Sequence, residues 1–120
     1  MAIGDTYIWC PRGTVKDHLW IVISDAARYD GQCVVINLTD SSHGEKSFIL
    51  SPGEHRYIHK DSDVNFGDAF LTSEAHLKAE VSCGSAKPHD PMNLMIVSKI
   101  IERALAPHPA FTPYLRKFLR

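Results

Sequence analysis

Two apolar runs organise this chain. HLWIVISD (His18 to Asp25) and CVVINLTD (Cys33 to Asp40) are short, rich in Ile and Val, and end in small polar residues. Runs of this length and β-branched content predict buried strands. Ala26–Gln32 separates them and carries Asp30 and Gly31, which suit a turn. Ahead of them, Thr6–Cys10 alternates and predicts a first strand, closed by Pro11 and Gly13, with a polar loop through Asp17. Behind them, Ser41–Lys46 reads as a turn around Gly44, and Ser47–Leu50 as a fourth strand. Pro52–Gly53 signals another turn. The alternation in Arg56–His59 suits a further short strand, and Val64–Phe66 and Ala69–Leu71 read as short extended or turn segments around Gly67.

The period then changes. Thr72–Ser73–Glu74 can cap a short helical turn that includes Leu77. A break follows at Cys83–Gly84–Ser85 and Pro88–His89–Asp90–Pro91. Asp90 followed by Pro91 predicts an N-cap with proline at the first helical position. The helix so begun, over 90–105, places Leu94, Val97, Ile101 and Leu105 on one stripe. Pro107 and Pro109 stop it, and 112–120 predicts a last short helix. The expected fold is mainly β with C-terminal helices: one α+β domain, with a small antiparallel β-barrel over 1–82.

The chain of 120 residues is long enough to bury a core without staples. With 13 basic and 14 acidic residues the formal charge is −1, which argues against a strongly basic nucleic-acid binder but leaves room for a local basic patch. Cys10, Cys33 and Cys83 form no CxxC pair, so neither a zinc knuckle nor a redox motif is indicated. MAIGDTYIWC has no basic lead and does not read as a signal peptide. No apolar run approaches the ~20 residues of a membrane span. These features predict a soluble cytoplasmic protein. Gly-rich phosphate loops, Walker motifs and GxSxG elbows are absent from the sequence.

Seven histidines keep acid–base chemistry open. GEHRYIH (Gly53 to His59) is the most chemically loaded segment. If it is a strand, His55 and His59, four apart, share one face. Glu54 can then orient a histidine, Arg56 can meet a phosphate, and Tyr57 can stack on a base. The bland alternative is a set of polar residues after a turn, making local hydrogen bonds. The same spacing holds a metal only on a helix, which Pro52–Gly53 argues against, so no cofactor is expected, although Asp61 or Asp63 could add a ligand. His18 forms a second candidate site with Thr39 if their strands pair; otherwise the two merely begin and end strands. Asp25 and Asp40 read as turn caps. YLRKFLR (Tyr114 to Arg120) is a basic amphipathic end that either touches a partner or docks with one face solvated.

The order of elements (GD and an aromatic strand, a polar loop, IVIS and an Asp, a loop, then VVINLT) resembles the MazF/PemK toxins, the Kid/CcdB-like family. The likeness covers about Gly4 to Leu77 and is best over Leu19–Asp40. It implies an SH3-like barrel that acts as a homodimer. It also implies a metal-independent endoribonuclease that activates the ribose 2′-OH of RNA, inhibited by a cognate antitoxin protein. The family's catalytic Thr after the third strand matches Thr39. Its catalytic Arg before the second strand is replaced here by His18, with Lys16 close by. A histidine can take a proton but cannot offer the fixed fork that Arg gives a phosphate. Together these readings nominate His18, Thr39, His55 and His59 as catalytic and Lys16, Glu54, Arg56 and Tyr57 as substrate-binding. A non-catalytic module contacting a protein or nucleic acid is the alternative, and a toxin acting on a protein target is a third.

Overall fold

The computed structural model describes residues 2–11, 16–40 and 48–120. The turn expected around Gly44, the polar loop at Gly13 and the start of the fourth strand at Ser47 lie outside them. Six strands run β1 (Thr6–Trp9), β2 (His18–Val22), β3 (Gln32–Asp40), β4 (Ile49–Leu50), β5 (Ser62–Ser73) and β6 (Ala86–His89). Helix α1 (Glu74–Ser82) lies between β5 and β6, and α2 (Leu94–Leu105) follows β6. Short 3-10 helices occupy Ala26–Arg28 and Pro113–Leu119. The strands form a single antiparallel sheet in the order β4-β5-β3-β2-β1-β6, curled into a half-barrel.

The two apolar runs are nearly continuous because both faces of the sheet are covered. Leu19, Ile21, Ile23, Val34, Ile36 and Leu38 face one core, closed by Val97, Ile100 and Ala104 of α2 and by Leu115 and Phe118 of the C-terminal turn. Trp20, Val22, Cys33 and Val35 face a second core with Tyr7, Trp9 and Leu77 of α1. Asp25 caps the Ala26–Arg28 turn through the Ala27 amide at 3.0 Å. Asp30 and Gly31, with φ of 55° and 83°, carry the chain into β3 through a left-handed step that suits Asp and Gly.

β5 is a single strand where two segments were expected. Val35 pairs with Phe70 and Asn37 with Asn65, so Phe66 to Ala69 form a bulge opposite Ile36. Phe66 drops from that bulge into the first core and stacks on His108, with centroids 4.2 Å apart.

Ser73 caps α1 by accepting from the His76 amide at 3.0 Å, as its sequence indicates. Three expectations are corrected. The sheet does not end at residue 82, because the supposed break contains β6, which pairs with β1 from Trp9↔Ala86 to Thr6↔His89. Pro88 fits there because an edge strand can spare an amide hydrogen. The long helix starts at Leu94, capped by Asn93 through the Met95 amide at 2.8 Å, and not at Asp90. Finally, the segment around Arg56–His59 is a succession of turns, not a strand. Gly4 (φ 96°) sits where the N-terminus passes α2: a Cβ there would meet Leu94 Cδ2 at 3.1 Å.

The C-terminal end docks. Arg116 donates to the carbonyls of Ala104 (3.0 Å) and His108 (3.2 Å), satisfying the end of α2, and the Tyr29 hydroxyl lies within hydrogen-bond distance of the carbonyl oxygens of Lys117 (2.8 Å) and Arg120 (2.9 Å). Among the described residues no helix is long and apolar enough to cross a membrane.

Candidate functional site

The register of β2 and β3 sets the site. Val22↔Val35, Ile21↔Ile36 and Trp20↔Asn37, continued by two residues, bring His18 level with Thr39. At this end of the sheet a cleft of about 400 Å³ opens. His18 and Leu19 of β2 line it, with Leu38, Thr39 and Asp40 of β3, Lys16 and Asp17 before β2, and Tyr57 to Lys60 and Ser62 opposite.

Within the cleft, His18 is oriented by the backbone. Its Nδ1 lies 3.1 Å from the Leu38 carbonyl oxygen. A carbonyl only accepts, so Nδ1 carries the proton and Nε2 the lone pair. A base held by a bond to its other nitrogen is the arrangement general-base catalysis uses. Thr39 adds a hydroxyl and His59, exposed on the opposite wall, a second imidazole. Lys60 pairs with Asp40 at 2.5 Å.

Five of the eight nominated residues therefore share the cleft: His18, Thr39, His59, Lys16 and Tyr57. The other three do not line it. Because 55–59 turns instead of alternating, His55 and His59 do not share a strand face. His55 is 5 % exposed, and both its ring nitrogens are engaged: Nε2 donates to the Asp90 carbonyl at 2.6 Å and Nδ1 accepts from the Tyr57 amide at 3.0 Å. Arg56 binds the Asp90 carboxylate at 3.1 Å. The Glu54 carboxylate accepts from the Ser51 amide at 2.8 Å and closes the Pro52–Gly53 turn. Lys60, Asp17 and Ser62 were missed by sequence reasoning. Only the adjacency of Lys60 to His59 could have drawn attention to it.

Trp20 is core, its indole N–H donating to the Trp9 carbonyl at 3.1 Å. Among the described residues no group of three or more His, Cys, Asp or Glu side chains could hold a metal ion.

Burial pushes the Cys33 thiol up to about 11, with the Glu74 carboxylate adding to the rise. Thiolate is the nucleophile, so Cys33 should be inert at neutral pH, while Cys10 and Cys83 are exposed. Titration of the native chain with an aromatic disulfide should therefore find two rapidly reacting thiols, the third appearing only on unfolding. A fast third thiol would contradict the buried second core.

Comparison of the chain with protein-family profiles, with curated proteins and with solved structures found no match.

Proposed function

We propose that this chain is a toxin of the MazF/PemK type, an SH3-like barrel of the cytoplasm that arrests growth by cleaving single-stranded RNA through the ribose 2′-OH. The observation that carries the reading is the meeting of His18, Thr39 and His59 with Lys16 and Lys60 around one open cleft. His18 Nε2 takes the 2′-OH proton. The 2′ oxygen attacks the adjacent phosphorus, and the bond to the 5′ oxygen breaks as protonated His59 gives that oxygen a proton. The products are a 2′,3′-cyclic phosphate and a 5′-hydroxyl, with no cofactor consumed. Thr39 and the two lysines stabilise the charge on the phosphate, and Tyr57 offers a base a ring to stack on. Arg56 has no part in this scheme, because it does not line the cleft.

Charge makes the reading specific. Lys16 and Lys60 line the cleft with Asp17 and Asp40, so these four charges sum to zero. RNA binding should therefore weaken with salt only with the shallow slope that two lysines can give. A second copy of the chain and a cognate antitoxin are the protein partners of this reading.

The test is incubation of a mixed-sequence single-stranded RNA and its 2′-deoxy counterpart with the purified chain and a chelator. Cleavage of the RNA alone, leaving cyclic phosphate ends, is expected; intact RNA across a range of sequences overturns the reading. Intact RNA would favour the binding-module alternative. The observation behind that alternative is the apolar groove of Ile3, Leu94, Val97 and Ile101, beside which Met95 is 70 % exposed.

A further inference from the structure

GEHRYIH, the segment richest in chemistry, supplies the cleft with only its last part, and the work of His55 needs an account. Its ring is buried with its two nitrogens doing opposite things. Nε2 donates to the Asp90 carbonyl, which also accepts from the Thr6 hydroxyl at 2.6 Å, while Nδ1 accepts the Tyr57 amide hydrogen. Only the neutral imidazole protonated on Nε2 satisfies both. One ring thus ties the 51–59 loop to the chain linking β6 and α2. The residue whose amide it holds, Tyr57, is where the loop enters the cleft wall, and His59 follows two residues later.

We propose that His55 is the positioning residue of the cleft, holding the Tyr57–His59 wall in place only while its ring is neutral. Protonation at Nδ1 would set a ring N–H against the Tyr57 N–H, donor against donor. The bond to Asp90 would survive, but the wall would be released. The groups around the ring are consistent with this function. His89 of β6 lies with its ring 5.1 Å away and its own Nδ1 accepting the Asp90 amide at 2.8 Å, so it also is held as an acceptor. Arg56 is drawn off to the Asp90 carboxylate. Tyr57 packs edge-on against His89 and at a tilt to His59, with centroids 6.0 and 6.4 Å apart, so a shift of Tyr57 reaches the proton donor of the cleft. Thr6 contributes only a hydroxyl, and it is spent on Asp90.

The consequence for reactivity rests on the reading of the cleft given above; the tautomer and the release of the wall do not. The first measurement is therefore made on the unmutated chain without RNA. Imidazole ¹⁵N spectra should find His55 protonated on Nε2 at neutral pH. On acidification, its uptake of a proton should coincide with shifts of the Tyr57 and His59 amides while Trp20 stays unmoved. Nδ1 protonation at neutral pH, or proton uptake with the Tyr57 amide unchanged, overturns the inference. The second measurement compares His55→Leu with His55→Asn, whose amide oxygen can stand where Nδ1 accepts. Cleavage should fall about 100-fold in the leucine variant, as displaced catalytic groups generally cost. The asparagine variant should recover part of the loss, and its acid limb should become shallower, keeping only the contribution of His18. Equal losses and an unchanged profile in folded variants overturn the positioning role. If the unmutated chain leaves RNA intact, the proposed function fails and the spectra alone decide the inference.

Discussion

His18→Asn is expected to lower RNA cleavage by about 100- to 10,000-fold, the range general acid–base groups usually contribute, while leaving the fold intact. Asparagine is chosen because its amide nitrogen can donate to the Leu38 carbonyl as His18 Nδ1 does across 3.1 Å. The variant therefore keeps the bond that closes this end of the β2–β3 pair and removes only the basic nitrogen. His18→Ala removes both, at a stability cost of about 1 kcal/mol for the lost hydrogen bond. The contrast matters: equal cleavage losses in both variants, with the alanine variant alone less stable, separate the proton transfer from the packing. Rates should be followed against pH, since a general base contributes the limb that rises as its nitrogen loses a proton. A variant that retains more than a tenth of the unmutated rate would take His18 out of the chemistry. Thr39→Ala, which leaves both histidines, should lose less, because a hydroxyl near the phosphate lends hydrogen bonding and not a proton route.

The parts of the fold most legible in the sequence are those whose surroundings are uniform. β2 and β3 are apolar on both faces, so their residues announce a buried strand whichever way they point. Ser73 before Glu74 marks the start of α1 because the cap is local. What escaped was decided by distant partners. β6 contains Pro88 and follows Gly84 and Ser85, so locally it reads as a break; it is a strand because β1 has a free edge. Asp90–Pro91 has the chemistry of a helix start, but the Asp90 carbonyl is taken by Thr6 and His55 and its carboxylate by Arg56. The cap falls to Asn93. At the site, the His18–Thr39 pairing was legible because two strands joined by a short turn fix their own register. His59 was nominated for its chemistry but on the wrong geometry, since alternation over four residues cannot distinguish a strand from turns. The Lys60–Asp40 pair joins segments twenty residues apart and left no local trace.

The second large effect belongs to the core opposite the cleft floor. Trp20→Ala should destabilise the chain by about 3–5 kcal/mol, the usual cost of deleting a large buried aromatic side chain. Total stabilities of domains run to about 5–15 kcal/mol, so the variant should be near the limit of folding. Trp20 is 1 % exposed and meets Trp9 and Phe70 edge-on, with centroids 5.9 and 5.1 Å away. It thereby joins β1, β2 and β5 on the face that packs against Leu77 of α1. Its indole N–H also holds the Trp9 carbonyl, across from which β6 is paired. Trp20→Phe separates these contributions: it keeps most of the apolar contact and leaves that carbonyl without its indole partner, for a cost of about 1–3 kcal/mol. Urea unfolding followed by circular dichroism measures both. A loss below about 1 kcal/mol in the alanine variant would mean that the aromatic cluster is dispensable and that one core carries the sheet. The expected loss would instead make the second core a condition of the site, because Trp20 stands two residues from His18 on the strand whose register brings His18 to Thr39.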